Sequence, residues 1–254
     1  MLIDSHCHLF KEYYDNIDEI IKKAKDNDVK IMISSASSRK DCEEMLDFSN
    51  KHEEVYVTLG IHPEEADNYQ DEDLTFIEEN LNNPKVIAIG EIGLDYHYEG
   101  YNKEKQIDLF EKQLAIAEKY NLPVVVHSRE ATEDTINTLK KFKVTGVIHS
   151  FSGSKETAKI YIKMGFVLGI NGVVTFKNAH IKDVIKEIGI EYFILETDSP
   201  FLTPHPYRGT KNDPSYINTI AEFLSQYLKI NNIIIARITN DNVFKVFNKL
   251  NKNK

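Results

Sequence analysis

The sequence predicts one (β/α)8 barrel over residues 1–254. Three observations predict it. Eight short apolar, β-branched runs alternate with stretches of helical periodicity. Most of those runs are near-continuously hydrophobic, as parallel strands buried on both faces are. The length of 254 residues lies close to the roughly 250 that eight βα units need. The competing class, a doubly wound open sheet, loses support because no G-x-G-x-x-G follows the first run.

The elements follow in order. Residues 2–3 open the first strand, and Ile17, Ile20, Ile21 and Ala24 then fall at i, i+3, i+4 and i+7 on one helix face. Residues 30–33 form the second strand; Ser38 starts the next helix, with Cys42, Met45 and Leu46 inside. Residues 55–59 precede a helix marked by Leu74, Ile77 and Leu81. Residues 86–89 precede a longer one marked by Ile107, Phe110, Leu114 and Ala117. Residues 124–126 are followed by Ile136 and Leu139, and residues 144–148 by Ala158 and Ile162. Gly165 and Gly189 serve as helix stops around the seventh strand, 166–170. The eighth strand is 193–195. Pro214, suited to a first helical position, precedes Ile217, Ile220, Ala221 and Leu224. A last helix around Val243, Val246, Phe247 and Leu250 closes the chain.

Composition narrows the function. Hydrophobic residues make up 41% and charged residues 28%, a globular balance. The net charge of -9 excludes broad electrostatic capture of nucleic acid, so any polyanion contact must be a local basic pocket. Two cysteines, Cys7 and Cys42, without C-x-x-C, exclude a disulfide framework and a thiolate zinc finger. No apolar run reaches the ~18 residues of a membrane span, and residues 164–176 come nearest. No signal peptide is evident, so the expected setting is the reducing cytoplasm, away from membranes.

Polar groups gather where the strands end. The first strand leads into Asp4-Ser5-His6-Cys7-His8, where alternation puts Asp4, His6 and His8 on one face and Cys7, a small core residue, on the other. The third ends at His62, the fourth at Glu91, the fifth at His127, the sixth at His149 and the eighth at Glu196-Thr197-Asp198. Barrel enzymes build active sites at such ends. Each histidine alone has a structural alternative, a hydrogen-bonded core imidazole. Six metal-competent groups at equivalent strand ends are hard to attribute to packing, because unpaired buried carboxylates and imidazoles are costly. Imidazoles and carboxylates without thiolate suit one or two divalent cations such as Zn²⁺ or Mn²⁺. His6, His8 and Asp198 are expected to hold one, since the first and eighth strands are neighbours in a closed barrel. His127 and His149 are expected to hold the other, with Glu91 bridging and the pair activating a water.

The motifs "DSHCH", "GIHP", "GEIGLDY", "VHSRE", "GVIHSFSGS" and "LETDSP" stand in the order seen in the TatD family of metal-dependent hydrolases, a branch of the amidohydrolase superfamily. The chain resembles that family from His6 through Pro214, and weakly on to "TNDNVFKVF". The resemblance implies a TIM barrel, a di-metal centre (Zn, Mn or Mg) on the same ligands, and phosphodiester hydrolysis. Glu91 stands where some amidohydrolase relatives carry a carboxylated lysine. By the resemblance Asp198 is both ligand and proton acceptor, with ligation alone as the alternative. Glu91 shares the catalytic assignment.

Asp4 and Glu196 are expected to orient ligands, with a buried ion pair as the alternative. His62, Asp95, Arg129, Ser152 and Arg208 are the expected substrate contacts, the last in "YRGTKNDP" beside Lys211. Arg208 has the alternative of a surface charge. The function expected is a deoxyribonuclease acting 3′–5′ on single-stranded ends, since a chain end needs only a pocket. The expected partner is therefore a nucleic-acid end or a small nucleotide-containing substrate. The enzyme alternative is hydrolysis of a carbonyl substrate: an amide, a lactone or an aminoacyl-tRNA ester. The other alternative is a non-catalytic metal-binding barrel acting through partners.

Overall fold

The computed structural model describes residues 1–252. In chain order it holds β1 (Leu2–Cys7), α1 (Ile17–Asp26), β2 (Val29–Ser35), α2 (Arg39–Ser49), β3 (Val55–Leu59), α3 (Asp71–Asn80), β4 (Val86–Asp95) and α4 (Lys103–Tyr120). Then come β5 (Val124–Arg129), α5 (Thr132–Leu139), β6 (Gly146–Ile148), α6 (Lys155–Lys163), β7 (Phe166–Ile170), α7 (Ile181–Ile188), β8 (Phe193–Leu195), α8 (Ile217–Leu228), α9 (Asn232–Val246) and α10 (Lys249–Lys252). The strands hydrogen-bond in sequence order with parallel neighbours, and a helix lies in every connection. The fold is the (β/α)8 barrel. Among the described residues no helix is long and apolar enough to cross a membrane. Residues 164–176 hold β7 and a 3-10 turn, Gly172–Thr175.

Some boundaries differ from the sequence expectation. β4 runs on through Glu91 to Asp95, because its glycines let it lie against β5, with Gly93 paired to His127. α7 carries a full apolar face, with Ile181, Val184 and Ile185 buried, where the sequence reading gives only its stop at Gly189. The last helix is two, broken before Lys249.

The chain divides into two compact units. The first comprises Met1–Ser34, Ser150–Lys163 and Val167–Lys245. All six residues of β1 are buried. α1 starts where Asn16 accepts a hydrogen bond from the Glu19 amide (3.3 Å), and it buries Ile17, Ile21 and Ala24. The end of β1 is joined to the segment after β8: the Asp198 amide donates to the His6 carbonyl (2.9 Å), and the His8 amide to the Ser199 carbonyl (2.8 Å). Asp4 locks the junction, accepting from the Thr197 amide (2.8 Å) and hydroxyl (2.6 Å).

The second unit comprises Ser35–His149, Met164–Phe166 and the chain from Val246. All ten residues of β4 are buried, as a two-faced strand requires. α2 begins at Ser38, whose hydroxyl accepts from the Asp41 amide (3.2 Å), as its sequence predicts. Two buried glutamines of α4 clip loop ends: Gln113 bonds both the amide and the carbonyl of Ile61 (2.8 and 2.9 Å), and Gln106 those of Asp95 (2.9 and 2.8 Å). They fix the backbone beside His62 and the end of β4.

Candidate metal centre

The first unit brings His6, His8 and Asp198 together, with one ligand atom of each within 4.8 Å of the others. The Nε2 atoms of His6 and His8 face each other at 3.2 Å. Asp198 Oδ1 stands 3.7 Å from the first and 3.5 Å from the second. All three residues are buried. Two imidazole nitrogens turned toward each other need a proton or a cation between them. Ligands about 2.05 Å from a tetrahedral ion lie about 3.3 Å apart, so these spacings suit a cation as the shared partner. The donor set fits a borderline divalent ion.

Backbone geometry aims these side chains. His8 lies one residue beyond β1, yet its ring meets that of His6 on the same face, as the strand's alternation predicts. Asp198 adopts a left-handed φ of 55°. Aspartate is among the few non-glycine residues that tolerate this region. Burial pushes the Asp4 carboxyl up to about 8, with Glu196 adding to it, while the bonds from Thr197 pull the other way. Asp4 thus grips the backbone between Glu196 and Asp198 and also accepts from the His6 amide (3.4 Å). Glu196 accepts from the Ser150 amide (2.7 Å) and lies within 4.8 Å of a ring nitrogen of His6.

The second unit gathers imidazoles around Glu91. Its Oε1 is 2.9 Å from His127 Nδ1, 3.7 Å from His149 Nε2 and 3.8 Å from His62 Nε2. His127 also bonds Asp95 through Nε2 at 2.9 Å. Burial pulls the His127 pKa down, but the bonds to Asp95 and Glu91 outweigh it and raise it to about 9. A proton therefore occupies Nδ1 where a cation shared with Glu91 would sit. Asp95 accepts at the other nitrogen, the arrangement that orients metal-bound imidazoles. This donor set fits a divalent cation as well.

His62 differs from its neighbours. Its Nδ1 accepts from the Glu64 amide (3.3 Å), so the neutral ring carries its proton on Nε2, the atom nearest Glu91. One ligand atom from each of His62, Glu91 and His127 lies within 4.8 Å of the others, so His62, expected to contact substrate, stands where the sequence expectation placed His149, among the groups that could hold a cation beside Glu91. Asp95, also expected to touch substrate, is buried, and its carboxylate is taken up by His127 and the His97 amide (2.9 Å). The sequence placed it beside the site without showing that it positions a ligand. A cleft of about 290 Å³ opens next to Asp95, walled by Pro63, Tyr98 and Tyr101. Arg129 is exposed, its guanidinium 5.3 Å from the Tyr98 ring centre. Ser152 is exposed after β6, and Arg208 is exposed with its guanidinium 4.2 Å over the Phe176 ring.

Cys7 is fully buried and its thiol donates to the Ile33 carbonyl (3.4 Å). Burial, with Asp4 and Asp198 nearby, holds the thiol well above its usual pKa, so it is no thiolate ligand. Cys7→Ser keeps a donor to the same carbonyl. It is expected to cost about 1 kcal/mol and to leave the metal content of purified protein unchanged. Loss of an ion from folded Cys7→Ser, measured by elemental analysis, would contradict this placement.

Comparison with known proteins agrees with this architecture. The family model for TatD related DNase matches residues 3–248. A Bacillus subtilis protein named uncharacterized metal-dependent hydrolase YabD is 40% identical, with 97% of this chain and 99% of that one covered. The Escherichia coli K12 protein YcfH, similarly named, is 34% identical over 97% of this chain and 95% of its own. The crystal structure of YjjV, a TatD homologue from Escherichia coli K12, superposes with a TM-score of 0.92 at 28% identity, covering 97% and 98% of the two chains. The chain belongs to the TatD-related DNase family, and its matched relatives carry the name metal-dependent hydrolase.

Proposed function

We propose that this protein is a divalent-cation-dependent hydrolase of nucleic-acid phosphodiester bonds, acting 3′–5′ on single-stranded ends. The observation that carries the proposal is the pair of thiolate-free ligand groups, His6–His8–Asp198 and His62–Glu91–His127, the second with His149 Nε2 3.7 Å from Glu91, toward the carboxyl ends of strands. Each group is proposed to hold one ion (Zn, Mn or Mg). The family's designation as TatD related DNase supports the choice of phosphodiester. The net charge of -9 favours a chain end over a long duplex.

Bound cations supply Lewis acidity and make a water acidic enough to attack near neutral pH. The protein's own groups do the rest. Asp198 takes the proton of the attacking water, its carboxylate held by the turn that follows β8. In the second unit Glu91 and His127 would hold an ion, with Asp95 fixing the His127 imidazole, and His62 is placed to offer its Nε2 proton to a phosphoryl oxygen. Arg129, Ser152 and Arg208 are proposed to receive substrate phosphates; both guanidiniums lie over aromatic rings that limit their movement.

The test is an assay of metal-loaded protein on 3′- and 5′-labelled single strands, beside an aminoacyl ester, with and without chelator. The expected result is stepwise shortening from the 3′ end that chelation abolishes and added divalent ion restores. Undiminished cleavage in excess chelator would defeat the metal mechanism. Activity on the ester alone would assign the site to carbonyl substrates.

A further inference from the structure

The fold holds one large apolar ring out in water beside the first ligand group. Phe201 is 47% exposed. Its backbone is nonetheless fixed on both sides. The Phe201 amide donates to the Asp198 carbonyl (2.9 Å), closing a turn that starts at the ligand itself. The Phe201 carbonyl accepts from Nδ2 of Asn212 (2.6 Å), a fully buried side chain that also donates to the Thr197 carbonyl (2.9 Å). The ring meets His8 edge-to-face at 6.1 Å and Tyr13 edge-to-face at 5.5 Å. Tyr13 is steadied in turn by Lys211, whose ammonium donates to the Tyr13 carbonyl (2.5 Å).

A single exposed apolar residue is ordinary. A ring anchored in a turn with one metal-site residue and in contact with another is a positioned surface, and it is the kind on which nucleobases stack. We propose that Phe201, backed by Tyr13, is the stacking platform for the base of the nucleotide whose phosphate reaches His6, His8 and Asp198. The proposal rests on the phosphodiester reading above and names what its substrate must carry next to the scissile bond: an aromatic base. Stacking on an apolar ring uses the π-face that all bases share, so the platform accepts the four bases alike.

The experiment uses the metal-loaded full chain and two short phosphorothioate-linked single strands. One carries 2-aminopurine at its 3′ end; the other is identical except for an abasic residue there. Wild type is expected to quench the 2-aminopurine emission on binding. Phe201→Ala should weaken binding of the base-bearing strand by about 5- to 150-fold, the range for losing one stacked base. On the cleavable phosphodiester version the loss should appear in KM rather than kcat. The abasic strand should bind weakly to both proteins and hardly distinguish them, and Phe201→Trp should restore binding of the base-bearing strand. Equal losses on the two strands, or no loss on either, would overturn the platform while leaving the phosphodiester reading intact. Failure of wild type to bind or cleave any strand overturns both.

Discussion

Asp198→Asn is expected to lower kcat on a single-stranded oligonucleotide by at least ~10²-fold, the low end for removing a general base. The substitution keeps the size of the side chain and removes its charge and basicity. It also suits the backbone. Asn tolerates the left-handed φ of 55° as well as Asp does, so the turn after β8 should survive. Circular dichroism should therefore match wild type while turnover collapses. The bonds described above between β1 and this segment use the Thr197 amide and hydroxyl and main-chain atoms of residues 198 and 199, not the Asp198 carboxylate. An Asp198→Asn protein that turned over at near the wild-type rate would show that the proton leaves by another group.

Gly93→Ala is expected to destabilise the fold by about 3 kcal/mol or more, the upper end for overpacking. A Cβ at this position would stand 2.0 Å from the His127 carbonyl oxygen and 3.0 Å from its amide nitrogen, and φ is +144°. Both obstacles are backbone of β5, which cannot swing aside as a side chain would. At 2–4 °C per kcal/mol for a chain of this size, the melting temperature should fall by about 6–12 °C. Because the clash is with the His127 backbone, binding of the ion proposed for Glu91 and His127 should weaken too. Gly100→Ala is the control. Its φ of +86° is also left-handed, but nothing lies within 4 Å of the added methyl, so only the backbone cost of about 1–2 kcal/mol remains. Equal melting temperatures for the two variants would show that the close approach of β4 to β5 is wrong.

Much of this was legible in the sequence because parallel strands write themselves plainly. Runs such as 124–126 have no polar residue, and the helices between them repeat at 3.6. The candidate ligands were legible because each stands in or just after the last residues of an apolar run. Alternation put His6 and His8 on one face, and their Nε2 atoms meet at 3.2 Å, but it could not show that the strand stops at Cys7, before His8. It also could not show that β4 passes through Glu91 to Asp95, because glycines at 90 and 93 look like a turn until β5 is seen beside them. Asp95 as the group that orients His127, His62 as a neutral donor, and Gln106 and Gln113 as backbone clips depend on hydrogen bonds between residues distant in sequence. No local pattern encodes those partners. The face of α7 was a different case: Ile181, Val184, Ile185 and Ile188 carry the full spacing, and the helix could have been found by it.

The clasp between Asp4 and Thr197 joins positions 193 residues apart, whereas Glu91 and His127 are separated by 36. At 5–20 residues per second of synthesis, a nascent chain has both Glu91 and His127 within about 2–7 s of each other, but waits about 10–40 s after Asp4 for Thr197. The two ligand groups are therefore born at different times. Glu91, His127 and His149 have all been made before Glu196 and Asp198 exist. His6 and His8, among the first residues made, acquire their carboxylate only near the end of translation.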